Sequence, residues 1–386
     1  MYLDHAATSP MTERALSTYV AVARKSPGNP ASAHAWGAEA KHELELARTK
    51  LANLYGLAAD EVIFTSGATE SLNWVVRAME GRVGCVVATP IEHGCVIEPL
   101  KRLGDRVVWL PVTPAGMVDF EASAELLKVR GSSIAGLIVM GANNETGVIQ
   151  PVRALSSLVK RLNPDALVVS DLVALGSWGG IAETIEWVDI GVLSPHKVGG
   201  PVGVGVVLRR HGVALEPLLV GGPQEYDLRA GTVSVPLVVA GAVALSDASV
   251  TCGEHRKSCR ALQHRLERGL KALGVGVEIV GADCERVGIT SALFPGLRAE
   301  DLLFLLDERG VRASAGAACA SGAMQPSHVL LAQGYPPQAA RSQVRFSYAS
   351  NLDNSAIDFT VEAVGEAVAK LRSPTLRLEQ ESRQHP

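Results

Sequence analysis

Residues 166–208 read ALVVSDLVALGSWGGIAETIEWVDIGVLSPHKVGGPVGVGVVL, and three apolar runs within them decide the fold class. The first, Leu167-Val168-Val169, leads to Asp171. The second, Ile190-Gly191-Val192-Leu193, leads to Ser194-Pro195-His196-Lys197. Short runs without polar alternation are the mark of strands buried on both faces, and the helix-length segment between them is the crossover that parallel neighbours need. The third run, Val202–Leu208, follows only a Gly-Gly-Pro connection, which is short enough for antiparallel pairing with its predecessor.

Outward from there, Val62-Ile63-Phe64, Cys85–Ala88, Val107–Leu110 and Leu137–Met140 read as further strands with helical segments between most of them. Residues 38–55 form an amphipathic helix, with Leu44, Ala47, Leu51 and Leu54 on one face and Gly56 placed to cap it. After about residue 240 the rhythm changes. A charged helix over 254–273 precedes strands near Val277–Ile279 and Ile289–Phe294 and a helix over 299–309. In the last helix Ile357, Val361, Val364, Val368 and Leu371 recur at helical spacing. The expected fold is α/β: a large lobe with a mostly parallel mixed sheet sandwiched by helices, plus a smaller α+β lobe. The polar, aperiodic stretch 373–386 is expected to be a disordered tail.

Composition narrows the function. The 386 residues exceed the roughly 250–300 at which one core stops growing, so two lobes are expected. An apolar share of 47% excludes a largely disordered chain. With 36 Lys+Arg against 40 Asp+Glu, a net charge of −4 and no basic run, neither a direct nucleic-acid grip nor an anionic membrane partner is expected. No basic region followed by an apolar core opens the chain, and the six cysteines form no CxxC pair. These thiols suit a reducing compartment, so a cytoplasmic enzyme is expected and no metal site.

Several local stretches could carry chemistry, and each has a plainer use. Thr65-Ser66-Gly67-Ala68-Thr69-Glu70 feeds a helix expected to open at Ser71-Leu72. It is either a phosphate cradle of backbone N–H groups or a helix start capped by Thr69 or Ser66. Lys197 at a strand end is either an amine nucleophile in the crevice of an open α/β sheet or a surface lysine on a glycine-rich loop. Asp171 is either a helix cap or the partner of a buried cation, and His93 either a stacking ring or a structural imidazole. The stretch Ala313–Ala323 holds only Ala, Ser, Gly and Cys, so it is a close backbone approach or a loop carrying the thiol of Cys319. Cys85 and Cys95 sit in apolar contexts and read as inert.

Jointly these stretches resemble a PLP-dependent cysteine desulfurase of the class V aminotransferase group, with fold type I architecture, from Tyr2 to about residue 371. The markers are Tyr2–Thr8, Gly28-Asn29-Pro30 with His34, Phe64–Glu70, Glu92-His93, Asn143–Pro151, and Ser194 with His196-Lys197. Gly221-Gly222 with Gln224-Glu225, Arg229–Thr232, Cys319 followed by Pro326–Leu330, and Val344–Ser347 complete the set.

The resemblance implies that Lys197 forms the internal aldimine with pyridoxal 5′-phosphate (PLP) and later moves the Cα proton. It gives Asp171 the pyridinium nitrogen, His93 the ring face, and Ala68, Thr69, Ser194 and His196 the phosphate. Thr232 would reach the phosphate of a neighbouring subunit, implying a homodimer. Asn144 and Arg345 would bind the carboxylate of L-cysteine, Arg345 by a two-pronged salt bridge, and Cys319 would take the sulfur as a persulfide and pass it on. The acceptor would be a protein such as an iron–sulfur scaffold or a thiolation enzyme, and the short spacing from Cys319 to Ser327 matches the short-loop subgroup. The implied division is a large PLP-binding domain over 15–250 and a small domain from 1–14 and 251–372.

One departure stands out. The family's glutamine after the aspartate, which bonds the cofactor's phenolic oxygen, is replaced by Ala174. Ala38 likewise replaces a usual arginine. Two other readings remain: a PLP carbon–sulfur or selenocysteine lyase for which Cys319 is dispensable, and a degenerate paralogue acting as a binding or scaffold partner.

Overall fold

Seven strands, β1 (Val62–Thr65), β2 (Cys85–Ala88), β3 (Val107–Trp109), β4 (Ile134–Ile138), β5 (Leu167–Asp171), β6 (Ile190–Leu193) and β7 (Gly205–Arg209), form one sheet in the order β1-β7-β6-β5-β4-β2-β3. The computed structural model describes residues 1–316 and 325–373. Strands β3, β2, β4, β5 and β6 are parallel, whereas β7 runs antiparallel to both β6 and β1, as its short connection allowed. Because side chains alternate across a strand, Val86 and Ala88 face one layer and Val87 the other, and both layers are apolar.

Helices α1 (Glu13–Lys25) and α2 (Ala35–Tyr55) precede the sheet, and α2 ends on a left-handed Gly56 as expected. Within the large lobe follow α3 (Ala68–Glu80), α4 (Gly94–Lys101), α5 (Phe120–Arg130), α6 (Val152–Leu162) and α7 (Ile181–Ile185). Leu72, Val75, Val76 and Met79 of α3 and Val96 and Leu100 of α4 pack on one face of the sheet. Leu44 and Leu51 of α2 belong to the cluster on the other face.

The α3 start differs from the sequence reading. The helix opens at Ala68 rather than Ser71, with Gly67 as N-cap and no side-chain cap from Thr69 or Ser66. Glu70 supplies the polar closure instead, its Oε2 accepting the Ser66 N–H at 2.8 Å. Glycine at 205 lets β7 approach this turn: a Cβ there would fall 2.5 Å from the Gly67 carbonyl carbon.

The next helix, α8, runs unbroken from Val235 to Ala272, 38 residues, where only 254–273 was expected. Its first half buries Val235, Val238, Ala240, Ala242 and Leu245, packing with α1 and α2. The second half buries Cys259, Leu262, Leu266 and Leu270 in a single stripe beside α12 (Asn354–Arg372). A helix segment enclosed on several sides needs no polar face, so the first half hid the periodicity that marks the second. An 18-residue window of α8 has a mean hydropathy of 1.7, long and apolar enough to cross a membrane by length and composition. Less than half of that window, 44%, is buried in the core, and Val250 is exposed. Residue 250, the expected domain boundary, lies inside this helix.

The small lobe carries β8 (Glu278–Ile279), β9 (Ile289–Leu293), β10 (Ser314–Ala315) and β11 (Gln343–Ser347) in the antiparallel order β10-β11-β9-β8, with α9 (Ala299–Glu308), α10 (His328–Ala332) and α11 (Pro337–Ala340). Leu3 hydrogen-bonds through its backbone to Arg312 and Ser347, so the first residues of the chain join this lobe. The expected tail beyond Ser373 and Cys319 itself lie outside the described residues.

Candidate active site

The parallel strands deliver their C-terminal ends to one crevice, where an open α/β sheet binds ligands. A cavity of about 440 Å³ opens there. It is lined by nine of the expected residues together: Ala68, Thr69, His93, Asn144, Asp171, Ser194, His196, Lys197 and Arg345. Each arrives from a strand end or from the small lobe: Asp171 is the last residue of β5, Lys197 follows β6, His93 follows β2, and Arg345 sits mid-β11. Thr232 is exposed and does not line this cavity.

At one end the start of α3 presents the backbone N–H groups of Ala68 and Thr69, neither of which has a backbone partner among the described residues. With the hydroxyls of Thr69 and Ser194 and the imidazole of His196, they form a donor set suited to a phosphate dianion at a helix N-terminus. Burial, with Lys197 nearby, lowers the His196 pKa to about 4. Its Nδ1 lies 3.1 Å from Thr8 Oγ1.

Lys197 Nζ donates to the carbonyl oxygens of Ala6 and Ala7, both at 2.6 Å. Burial first, and Arg345 second, lower its pKa to about 8, while Asp171 and Asp4 pull the other way. Burial pushes the Asp171 carboxyl up; the Val173 N–H at 3.0 Å, His93 and Lys197 draw it back. Asp171 thus closes a backbone turn and also faces the cavity, so its two candidate uses coexist. The same holds for His93, which caps α4 by accepting the Cys95 N–H and lines the cavity as well. Burial holds its pKa below the ordinary value. A neutral ring results.

Arg345 is almost fully enclosed. Nη2 donates to Asp4 Oδ1 and Nη1 to the Asn144 carbonyl, both at 2.9 Å, while the buried Nε has no partner among the described residues. Among the described residues two of its five N–H groups are therefore taken, and a guanidinium so held can accept a carboxylate on its remaining edge.

The cavity wall also holds His5 of the Tyr2–Thr8 stretch and Cys95, together with three residues that no local signal announced: Trp178, His255 and Tyr348. Cys95 Sγ lies 2.9 Å from His93 Nδ1, and burial raises its thiol pKa well above the ordinary value, which disfavours the thiolate. Ala174 stands in the wall where an amide was missed, with Ser177 and Trp178 beside it, and the buried Trp178 Nε1 has no partner among the described residues.

Comparisons with known proteins agree with this geometry. A family described as aminotransferase class-V matches residues 1–359. An "IscS-like cysteine desulfurase" of Mycobacterium tuberculosis (strain H37Rv) is 36% identical, covering 97% of this chain and 98% of the relative. The "Cysteine desulfurase IscS" of Dictyoglomus turgidum is 31% identical over 97% and 95% of the two chains. A solved "NIFS-like protein" superposes with a TM-score of 0.89 at 34% identity, covering 96% of this chain and all (100%) of that one.

Proposed function

The chain belongs to the aminotransferase class-V family, and from that premise we propose that it is a cysteine desulfurase that uses PLP to convert L-cysteine to L-alanine while passing the sulfur to Cys319. The observation that carries this reading is the meeting of Lys197, Asp171 and His93 in one cavity, with the free N–H groups of Ala68 and Thr69 at its end. That donor set fits PLP: a cradle for its phosphate, a buried carboxylate for its ring nitrogen, a neutral imidazole for its ring face and an amine for its aldehyde.

Bound PLP supplies an electron sink conjugated to the substrate Cα. Asp171 keeps the ring nitrogen protonated. Lys197, with a pKa of about 8, has a usable neutral fraction near pH 7, so its Nζ can act as a nucleophile and then carry the Cα proton. Arg345 and Asn144 orient the substrate carboxylate, and Asp4 holds Arg345 in place. The Cys319 thiolate attacks the substrate sulfur: an S–S bond forms, the Cβ–S bond breaks, and its electron pair stays with the carbon skeleton, which is protonated to alanine.

Exposed Thr232 supports the homodimer, because a side chain at the surface can serve a neighbouring subunit's site. The acceptor of the persulfide sulfur is a partner protein, an iron–sulfur scaffold or a thiolation enzyme. The five described cysteines are all free, which suits the cytoplasm.

The test is a visible spectrum of the purified protein followed by assay of alanine and sulfide from L-cysteine in the presence of a thiol that reduces the persulfide. The reading expects a cofactor band, equal yields of the two products, and no turnover by Lys197→Ala. A colourless protein even after incubation with PLP, or a Lys197→Ala variant with full turnover, would refute it.

A further inference from the structure

The Asn143-Asn144-Glu145 segment contains a buried acid that the chemistry above does not use. Glu145 is 3% exposed, and its backbone N–H is tied to Asn143 Oδ1 at 2.9 Å. Its side chain meets two separate parts of the chain. Ser327 Oγ donates to Oε2 at 2.5 Å. Gly316 packs directly against it: a Cβ at that position would fall 2.4 Å from Glu145 Oε2 and 1.9 Å from Gln343 Oε1. This glycine is required by close approach and not by its torsion angles. Gln343 opens β11 two residues before Arg345, and its Nε2 is fixed by Ser291 Oγ of β9 at 2.7 Å. On the other side of Glu145, the neighbouring Asn144 carbonyl accepts from Arg345.

The carboxyl therefore meets Gly316, which directly precedes residues 317–324, and Ser327, three residues beyond them, while the carbonyl of the neighbouring Asn144 accepts from Arg345 of β11. We propose that Glu145 is a positioning residue for the sulfur-transfer step. It fixes the two points between which Cys319 is carried and registers them against the arginine that holds the substrate carboxylate. The inference rests on the reading of Cys319 as the sulfur-accepting thiol.

Other groups near Glu145 explain why a carboxyl is tolerated there. Burial pushes its pKa up, while the Ser327 hydroxyl, His328 of α10 and Arg345 of β11 act in the opposite direction. An apolar side chain would leave the Ser327 hydroxyl without its acceptor.

The experiment compares holoenzyme carrying Glu145→Ala, Glu145→Gln and, as reference, Cys319→Ser, measuring the visible cofactor band, kcat and KM with L-cysteine. A misplaced reacting group costs up to about 10²-fold, so Glu145→Ala is expected to keep its cofactor band and a KM within about twofold while kcat falls about 10–10²-fold. Glu145→Gln, which keeps a hydrogen-bonding group of the same size, is expected to recover most of kcat. Combining Glu145→Ala with Ser327→Ala should cost little more than Glu145→Ala alone, because the two changes break one contact.

Parent-like kcat in Glu145→Ala, with Cys319→Ser inactive, would overturn this inference alone. So would loss of the cofactor band in Glu145→Ala, or failure of Glu145→Gln to recover kcat. Full turnover by Cys319→Ser would overturn the thiol reading and this inference with it.

Discussion

Replacing Glu225 with alanine should destabilise the protein sharply and loosen the phosphate end of the cavity. Arg48 and Glu225 form a two-pronged ion pair at 2.7 and 2.9 Å, with side chains only 2% and 1% exposed. Glu225 Oε2 also accepts the Phe64 N–H at 2.7 Å, and Arg48 donates to the Val62 carbonyl at 2.6 Å, so the pair locks β1 just before the α3 turn. The same pair holds Glu225, Tyr226 and Asp227 at φ of 49°, 58° and 62°, a left-handed turn that costs about 1–2 kcal/mol per residue. Two residues beyond Asp227, Arg229 binds Glu70, whose carboxylate closes the Ser66 turn.

Deleting one partner of a buried pair leaves an uncompensated charge and costs about 3–5 kcal/mol. An unfolding entropy of about 2.1 cal/mol/K per residue gives roughly 0.8 kcal/mol/K for 386 residues, so Tm should fall by about 4–6 °C. Thermal unfolding of Glu225→Ala measures this, and titration with PLP should show weaker binding. Replacing both partners with apolar residues, as in R48M/E225L, should recover much of the loss, because no buried charge remains. A Glu225→Ala loss below about 1 kcal/mol, or a double variant less stable than the single one, would refute the argument.

Three further outcomes follow from the same geometry. The rate at which cofactor-free protein captures PLP should rise with pH through a midpoint near 8, where Lys197 loses its proton; a midpoint near that of an ordinary lysine would show that burial does not tune it. Gly205→Ala should weaken PLP binding without abolishing folding, because its Cβ would press on the Gly67 backbone and on Thr65 Oγ1, each 2.5 Å away; unchanged affinity by spectral titration would count against the phosphate cradle. Glu92 is wholly buried, with a pKa raised to about 8, so folding holds its proton where the unfolded chain releases it. Its stabilising effect is full below about pH 4.5 and is lost as pH rises to 8, by up to about 1.4 kcal/mol per pH unit. Denaturant titrations should therefore show Glu92→Gln gaining on the parent across that window, and a constant difference would contradict it.

Much of this was legible in the residues because it rests on local pattern. Strands buried on both faces leave continuous apolar runs, and β1, β2 and β6 lie where those runs placed them. The Gly-Gly-Pro link correctly allowed β7 to reverse direction. What was hidden depends on distance in the chain. The first half of α8 has no polar face because α1 and α2 cover it, so nothing periodic marked it. The α3 start was misplaced because its polar closure comes from Glu70 and not from a Thr69 or Ser66 cap. Asp4 reaches Arg345 across 341 positions, and Glu145 reaches Ser327 across 182, contacts that only folding creates. The motif residues were placed by their resemblance to a family, whereas His255, Trp178 and Tyr348 of the cavity wall belong to no such motif and were missed.

The central claim is that sulfur leaves L-cysteine onto a thiol of this chain. Mass mapping of the holoenzyme after one turnover with L-cysteine, with no thiol added, tests it directly. The account predicts one extra sulfur atom on the peptide bearing Cys319, one alanine released per site, and neither product in Lys197→Ala. Alanine and free sulfide formed at the parent rate, with every cysteine peptide unmodified and Cys319→Ser equally active, would contradict it.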